Sequence, residues 1–137
     1  SAPESAKIIR TAREINDNKP HYVIDKVKKA ADEFKRPVIA CLGLAFKADI
    51  DDLRESPALD ITKKLAEQSV GSIIAVEPNI ENLPAELSSL NIEHCSLAEA
   101  MNKANVVLVL VDHSEFKSLS LEVIKNKVVI DTRGLIQ

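Results

Sequence analysis

Four short stretches of this chain are almost wholly apolar, and none is long enough to make a helix of ordinary length. They are 38–42 (VIACL), 72–76 (SIIAV), 106–111 (VVLVLV) and 127–130 (KVVI). Runs this short, rich in β-branched residues and without a polar face, are what strands covered on both sides look like. A weaker run covers 91–94 (NIEH). Between these runs lie helical patterns at 58–69, 97–104 and 121–125.

Strands that alternate with helices form βαβ units, and right-handed crossovers turn those into a parallel sheet. The fold class expected is α/β: a Rossmann-like parallel sheet of about five strands with helices on both faces. Two lead-in helices precede it. The first, 3–16, spaces Ile8, Ile9, Ala12 and Ile15 as one buried stripe. The second starts at Pro20, a residue suited to a first helical turn, with Asp17 or Asn18 as cap. It runs to about residue 34 and buries Val23, Ile24, Val27, Ala30, Ala31 and Phe34. The expected boundary falls at Lys35-Arg36-Pro37, giving a helical lead-in over 1–35 and an α/β body over 36–137.

A chain of 137 residues suits one domain whose core needs no disulfide or metal staple. Its longest stretch without a polar side chain is nine residues, 38–46, where a membrane span needs about 20. The first residues have neither the basic nor the apolar region of a secretory signal. A net charge of −3, one Tyr, three Phe and no Trp argue against nucleic acid, which demands surplus cations and stacking platforms. Cys41 and Cys95 are far apart and read as buried, reduced thiols, which fits a cytoplasmic setting.

Ligands of open parallel sheets bind beyond the carboxyl ends of the strands. Here that means 43–57, 77–84, 112–116 and 131–134. The turn after the first strand holds one glycine, Gly43, where a dinucleotide fingerprint wants three. Phosphate would therefore be met mainly by side chains, and Lys47, Arg54 and Arg133 stand at strand ends where they could serve. The bland alternative is that each is a solvated surface charge. Asp49, Asp51, Asp52 and Glu55 surround Arg54 but lack the glycine turn of a hard-cation loop, so no metal is expected. Ser56-Pro57 reads as a helix cap and first turn. Glu77, at the end of the second strand, is where dinucleotide enzymes place a ribose-holding acid, but without the fingerprint it reads as part of a turn. His21, His94 and His113 show no nucleophilic spacing; Asp112-His113 reads as a turn cap.

The segment 43–58 (GLAFKADIDDLRESPA) resembles the hallmark of the UDP-glucose/GDP-mannose dehydrogenase family, roughly G-x-x-F-K-x-x-x-D-D-x-R-E-S-P, in its C-terminal UDP-binding domain. Ala12-Arg13-Glu14-Ile15-Asn16-Asp17 is similar to the helix leaving the family's central domain, and Asp131-Thr132-Arg133-Gly134 to its closing motif. Ile50, 76–80 (VEPNI) and 111–117 (VDHSEFK) resemble the UDP-N-acetyl-D-mannosamine dehydrogenase branch, while Ala48 departs from the proline common there.

The resemblance implies oxidation of a UDP-sugar 6-hydroxyl to a carboxylate in two NAD-dependent steps, through a cysteine-linked thiohemiacetal. It implies that Phe46, Lys47 and Arg133 contact the UDP-sugar and that Arg54 faces NAD bound mainly by the N-terminal domain. It places the NAD domain, the central domain and the nucleophilic cysteine ahead of Ser1, so that 1–35 is the lead-in from the central domain. Neither Cys41 nor Cys95 matches that nucleophile, no residue of this chain is expected to be catalytic, and the chain alone is expected to be inactive. The expected partners are the UDP-sugar and the enzyme's own N-terminal and central domains, in a homodimer or larger assembly. The alternatives are a UDP-glucose 6-dehydrogenase domain, a stand-alone nucleotide-binding or regulatory module, and a structural assembly domain.

Overall fold

The structure, a computed structural model, describes residues 20–45, 56–119 and 122–132. The expected helix over 3–16 lies outside them. Helix α1 (Pro20–Ala31) opens on a proline, whose missing N–H is no loss in a first turn. Its apolar residues Val23, Ile24, Val27, Ala30 and Ala31 form one buried stripe. It stops short of residue 34 because Glu33 N–H and Phe34 N–H switch to carbonyls three residues back, Ala30 and Ala31. Pro37 follows and biases the residue before it toward extended backbone.

Five strands follow: β1 (Val38–Leu42), β2 (Ser72–Val76), β3 (Ile92–His94), β4 (Val106–Val109) and β5 (Val128–Asp131). All four pairings are parallel, in the order β3-β2-β1-β4-β5. The expected fold class is therefore observed. Helix α2 (Pro57–Glu67) connects β1 to β2, α3 (Ala85–Ser88) lies between β2 and β3, and α4 (Leu97–Lys103) between β3 and β4. None of the described helices is long and apolar enough to cross a membrane.

Because side chains alternate across a strand, each apolar run divides between two layers. Ile39, Cys41, Ile73, Val106, Leu108, Val128 and Ile130 face one way and pack with α1 and α2, including Ile61 and Leu65. Ala40, Leu42, Ile74, Val76, Val107, Val109 and Val129 face the other way, against Ala100 and Met101 of α4 and against Phe116 and Ile124. Two buried faces explain why these strands show no polar alternation in sequence. Each fully buried aliphatic side chain contributes roughly 1.5–3 kcal/mol. Val23, Ile24, Val27, Ala30 and Ala31 of helix α1 are part of this core.

Two local expectations need correction. Residues 122–126 form turns in place of the helix expected over 121–125, since so short a stretch rarely offsets the cost of a helical nucleus. A 3₁₀ turn over Ser114–Ser118 and the short α3 were not anticipated. Both are single-turn elements, too brief to show a period.

At the amino end of the sheet, Asn105 bridges strands. Its side-chain oxygen accepts from Val38 N–H at 2.9 Å, and its own N–H donates to Val38 O at 2.8 Å. The ligand-facing carboxyl edge is thus mounted on a fixed frame.

Candidate functional site at the carboxyl edge of the sheet

Strand order reverses direction between β1 and β4, so the crevice for a ligand opens where their carboxyl ends diverge. The turn leaving β1 begins at Gly43, with φ +99. A β-carbon there would lie 2.5 Å from Val111 Cβ, so only glycine lets the two loops approach this closely. Leu110 and Val111 N–H both reach Leu42 O, at 3.0 and 3.2 Å, which closes the seam between the turns after β1 and β4.

Three consecutive N–H groups of this turn then aim at β2. Gly43 N–H donates to Val76 O at 2.8 Å. Leu44 and Ala45 N–H both donate to Glu77 Oε1, at 2.9 and 3.1 Å. The same oxygen lies 2.8 Å from His113 Nε2, while Glu77 Oε2 accepts from Asn79 N–H at 3.0 Å. Glu77 is 1% exposed and His113 0%. With the carboxylate accepting, the imidazole proton sits on Nε2, and His113 Nδ1 is left facing Asn79 Nδ2 at 3.4 Å. Burial alone would push the Glu77 carboxyl up. The hydrogen bonds from His113, Leu44 and Asn79 outweigh it and hold the group below the usual carboxylate range.

Glu77 stands at the turn expected over Glu77-Pro78-Asn79, with both of its oxygens accepting from protein donors. One reading of the sequence is corrected. His113 does not cap its turn through its side chain, which makes no cap hydrogen bond. It braces Glu77 from the end of β4 instead. Sequence reasoning missed the pair because 36 residues separate its members. The one available signal was Glu77 directly after a buried strand, next to a turn poor in glycine.

Ser56 closes the other side. Its hydroxyl donates to Leu44 O at 2.7 Å, with Ala45 O at 3.2 Å, and accepts from Leu59 N–H at 3.2 Å as the cap of α2. The residues that bracket 46–55 are therefore tied to each other. Phe46, Lys47 and Arg54 lie inside that segment and outside the described residues, as do Asp49, Asp51, Asp52 and Glu55. Arg133 also lies outside, directly after Thr132, whose hydroxyl and N–H both donate to Val109 O, at 2.7 and 3.2 Å. The chain thus enters 46–55 from buried Ala45 and leaves it at buried Ser56, and it reaches 133 from buried Thr132.

A cleft of about 470 Å³ opens beside the ends of β2 and β3, lined by Glu81, Glu115, His94 and Ser96 among others. Among the described residues its lining carries acidic and polar groups and no lysine or arginine. Neither thiol offers chemistry. Burial, moderated by a hydrogen bond with Thr62, pushes Cys41 up to about 12, and burial together with Glu93 pushes Cys95 up to about 11.

Residues 40–137 match the UDP-glucose/GDP-mannose dehydrogenase family model of the UDP binding domain. The chain belongs to this family. It is 53% identical over 135 residues to an NDP-N-acetyl-D-galactosaminuronic acid dehydrogenase of Ralstonia solanacearum, covering 98% of this chain and 31% of the relative. It is 56% identical over 128 residues to a UDP-N-acetyl-D-mannosamine dehydrogenase of Campylobacter jejuni, covering 93% of this chain and 30% of that one. In structure it resembles the UDP-N-acetyl-mannosamine dehydrogenase of Staphylococcus aureus, with a TM-score of 0.71 and 34% identity over 91% of this chain and 29% of the other. The chain thus spans about 30% of the length of these dehydrogenases. In this chain the turn that Glu77 fills lies near the start of the matched residues 40–137.

Proposed function

We propose that this chain is the C-terminal UDP-sugar-binding domain of an NAD-dependent nucleotide-sugar 6-dehydrogenase. Its substrate is UDP-N-acetyl-D-mannosamine, oxidised to UDP-N-acetyl-D-mannosaminuronate. Residues 1–35 lead in from a central domain and 36–137 form the binding body, with α1 docked upon it. Phe46, Lys47 and Arg133 contact the UDP-sugar. Lysine supplies a point charge and arginine a two-pronged donor to the diphosphate. The enzyme works in the cytoplasm as a homodimer or larger assembly.

The observation that carries this reading is the tied base of 46–55, from which the hallmark Phe46-Lys47 pair follows directly after Ala45. A substrate held by groups on a rigid base can spend remote binding energy on orienting the reacting carbon. The names of the relatives support the substrate class.

NAD fits this domain poorly at the usual place. The N–H groups after β1, which a dinucleotide pyrophosphate would need, are filled by Glu77. NAD is therefore assigned to the N-terminal domain of the same enzyme, where it accepts hydride. Arg54 faces it across the cleft. The role of this chain is to bind and orient the sugar nucleotide.

The test is turnover by the complete enzyme with NAD and UDP-N-acetyl-D-mannosamine, run beside the N-acetylgalactosamine nucleotide and UDP-glucose. Two NADH per sugar with preference for the first substrate supports the reading. Preference for another nucleotide sugar reassigns the hexose and leaves the domain's role standing. Lys47→Ala and Arg133→Ala are expected to raise KM for the sugar nucleotide, and an unchanged kcat/KM in both removes them from the site.

A further inference from the structure

We propose that Glu77, braced by His113, is the positioning residue that sets the substrate-contacting segment beginning at Phe46-Lys47. The inference rests on the assignment of Lys47 to the UDP-sugar and adds to it a residue that never touches substrate. Glu77 Oε1 gathers Leu44 N–H, Ala45 N–H and His113 Nε2 within 2.8–3.1 Å. Ala45 is the residue immediately before Phe46, so the carboxylate holds the peptide from which the substrate-contacting pair departs. Two successive N–H groups converging on one anionic oxygen form a stiff concavity. The contact is dry: Glu77, His113, Leu44 and Ala45 are each no more than 1% exposed. His113 comes from the turn after β4 and Asn79 from the turn after β2, so one carboxylate ties three strand ends of the crevice together.

The chemistry favours a positioning role over a purely structural one. A buried turn needs only its N–H groups satisfied, which a backbone carbonyl or a hydroxyl would do. A carboxylate satisfied by four donors fixes direction as well, because every donor must hold its place to offset the loss of hydration. Misplacing a binding group by about 1 Å can cost on the order of a hundredfold in rate.

The experiment is a double-mutant cycle in the complete enzyme with Glu77→Gln and Lys47→Ala, reading KM and kcat for UDP-sugar and KM for NAD. Glutamine keeps one acceptor toward Leu44 and Ala45 and loses the charge. Glu77→Gln is expected to raise KM for the UDP-sugar about tenfold while KM for NAD stays within about twofold. In the Lys47→Ala background the same change is expected to add less than about threefold, since Phe46 is then the one member of the positioned pair left. If Lys47→Ala raises KM but Glu77→Gln does not, or if the two effects multiply, Glu77 does not act through this segment and the proposal falls alone. If Lys47→Ala leaves KM unchanged, the assignment of Lys47 falls and takes the proposal with it. Should Glu77→Gln not fold, His113→Asn enters the same cycle under the same criteria.

Discussion

Gly43 and Val111 meet at the seam between β1 and β4: a β-carbon on Gly43 would come within 2.5 Å of Val111 Cβ and 3.1 Å of its backbone nitrogen. The backbone nitrogen cannot move aside, since Val111 N–H donates to Leu42 O. Gly43→Ala is expected to destabilise the domain by about 3 kcal/mol, combining left-handed backbone strain with overpacking. Urea unfolding measures it, and a loss below about 1 kcal/mol would mean the seam yields.

Ser56 has two separable jobs, capping α2 and tying Leu44 O and Ala45 O. Ser56→Ala removes both and is expected to cost about 1–2 kcal/mol. Ser56→Asp restores a cap acceptor for Leu59 N–H but cannot donate to the carbonyls. It should recover only part of the loss in the same unfolding measurement. Full recovery would show that the tie across 46–55 contributes nothing to stability.

The depressed Glu77 carboxyl makes a signed prediction for acid. Its folded value lies below its unfolded one, so between the two the unfolded chain binds more protons and stability rises with pH. The stabilisation is fully present above the ordinary carboxylate range and is lost as pH falls through the folded value. Urea midpoints followed downward from about pH 6 should decline in this window, and Glu77→Gln should flatten that decline. An identical slope in the variant would remove Glu77 from the acid response.

Both thiols are expected to resist alkylation in the folded chain at neutral pH. With values of about 12 and about 11, thiolate is scarce at Cys41 and Cys95, and both are buried. Iodoacetamide labelling followed by mass should find neither modified in buffer and both modified in urea. Ready labelling of Cys95 in buffer would show that β3 opens.

Much of the fold was legible because the strands are buried on both faces. The bounds of β1 and β2 are those of their apolar runs, 38–42 and 72–76, and Ser56-Pro57 caps and opens α2 as its residue types require. The run 106–111 proved shorter as a strand, since Leu110 and Val111 turn back to share Leu42 O. Of the site, the turn's poverty in glycine was legible, while the cations expected beside it lie outside the described residues. What fills the turn was not, because Glu77 and His113 meet only once β2 and β4 flank β1, and neither residue type carries that information in its neighbours.

A carboxylate carried on the adjacent strand competes with any diffusing anion as an intramolecular ligand. Its effective concentration at the Leu44 and Ala45 amides far exceeds that of dissolved phosphate, and displacing it would strand a buried charge. The port through which related folds admit a pyrophosphate is therefore stoppered from within. An anionic ligand of this domain must be met elsewhere than at these two amides.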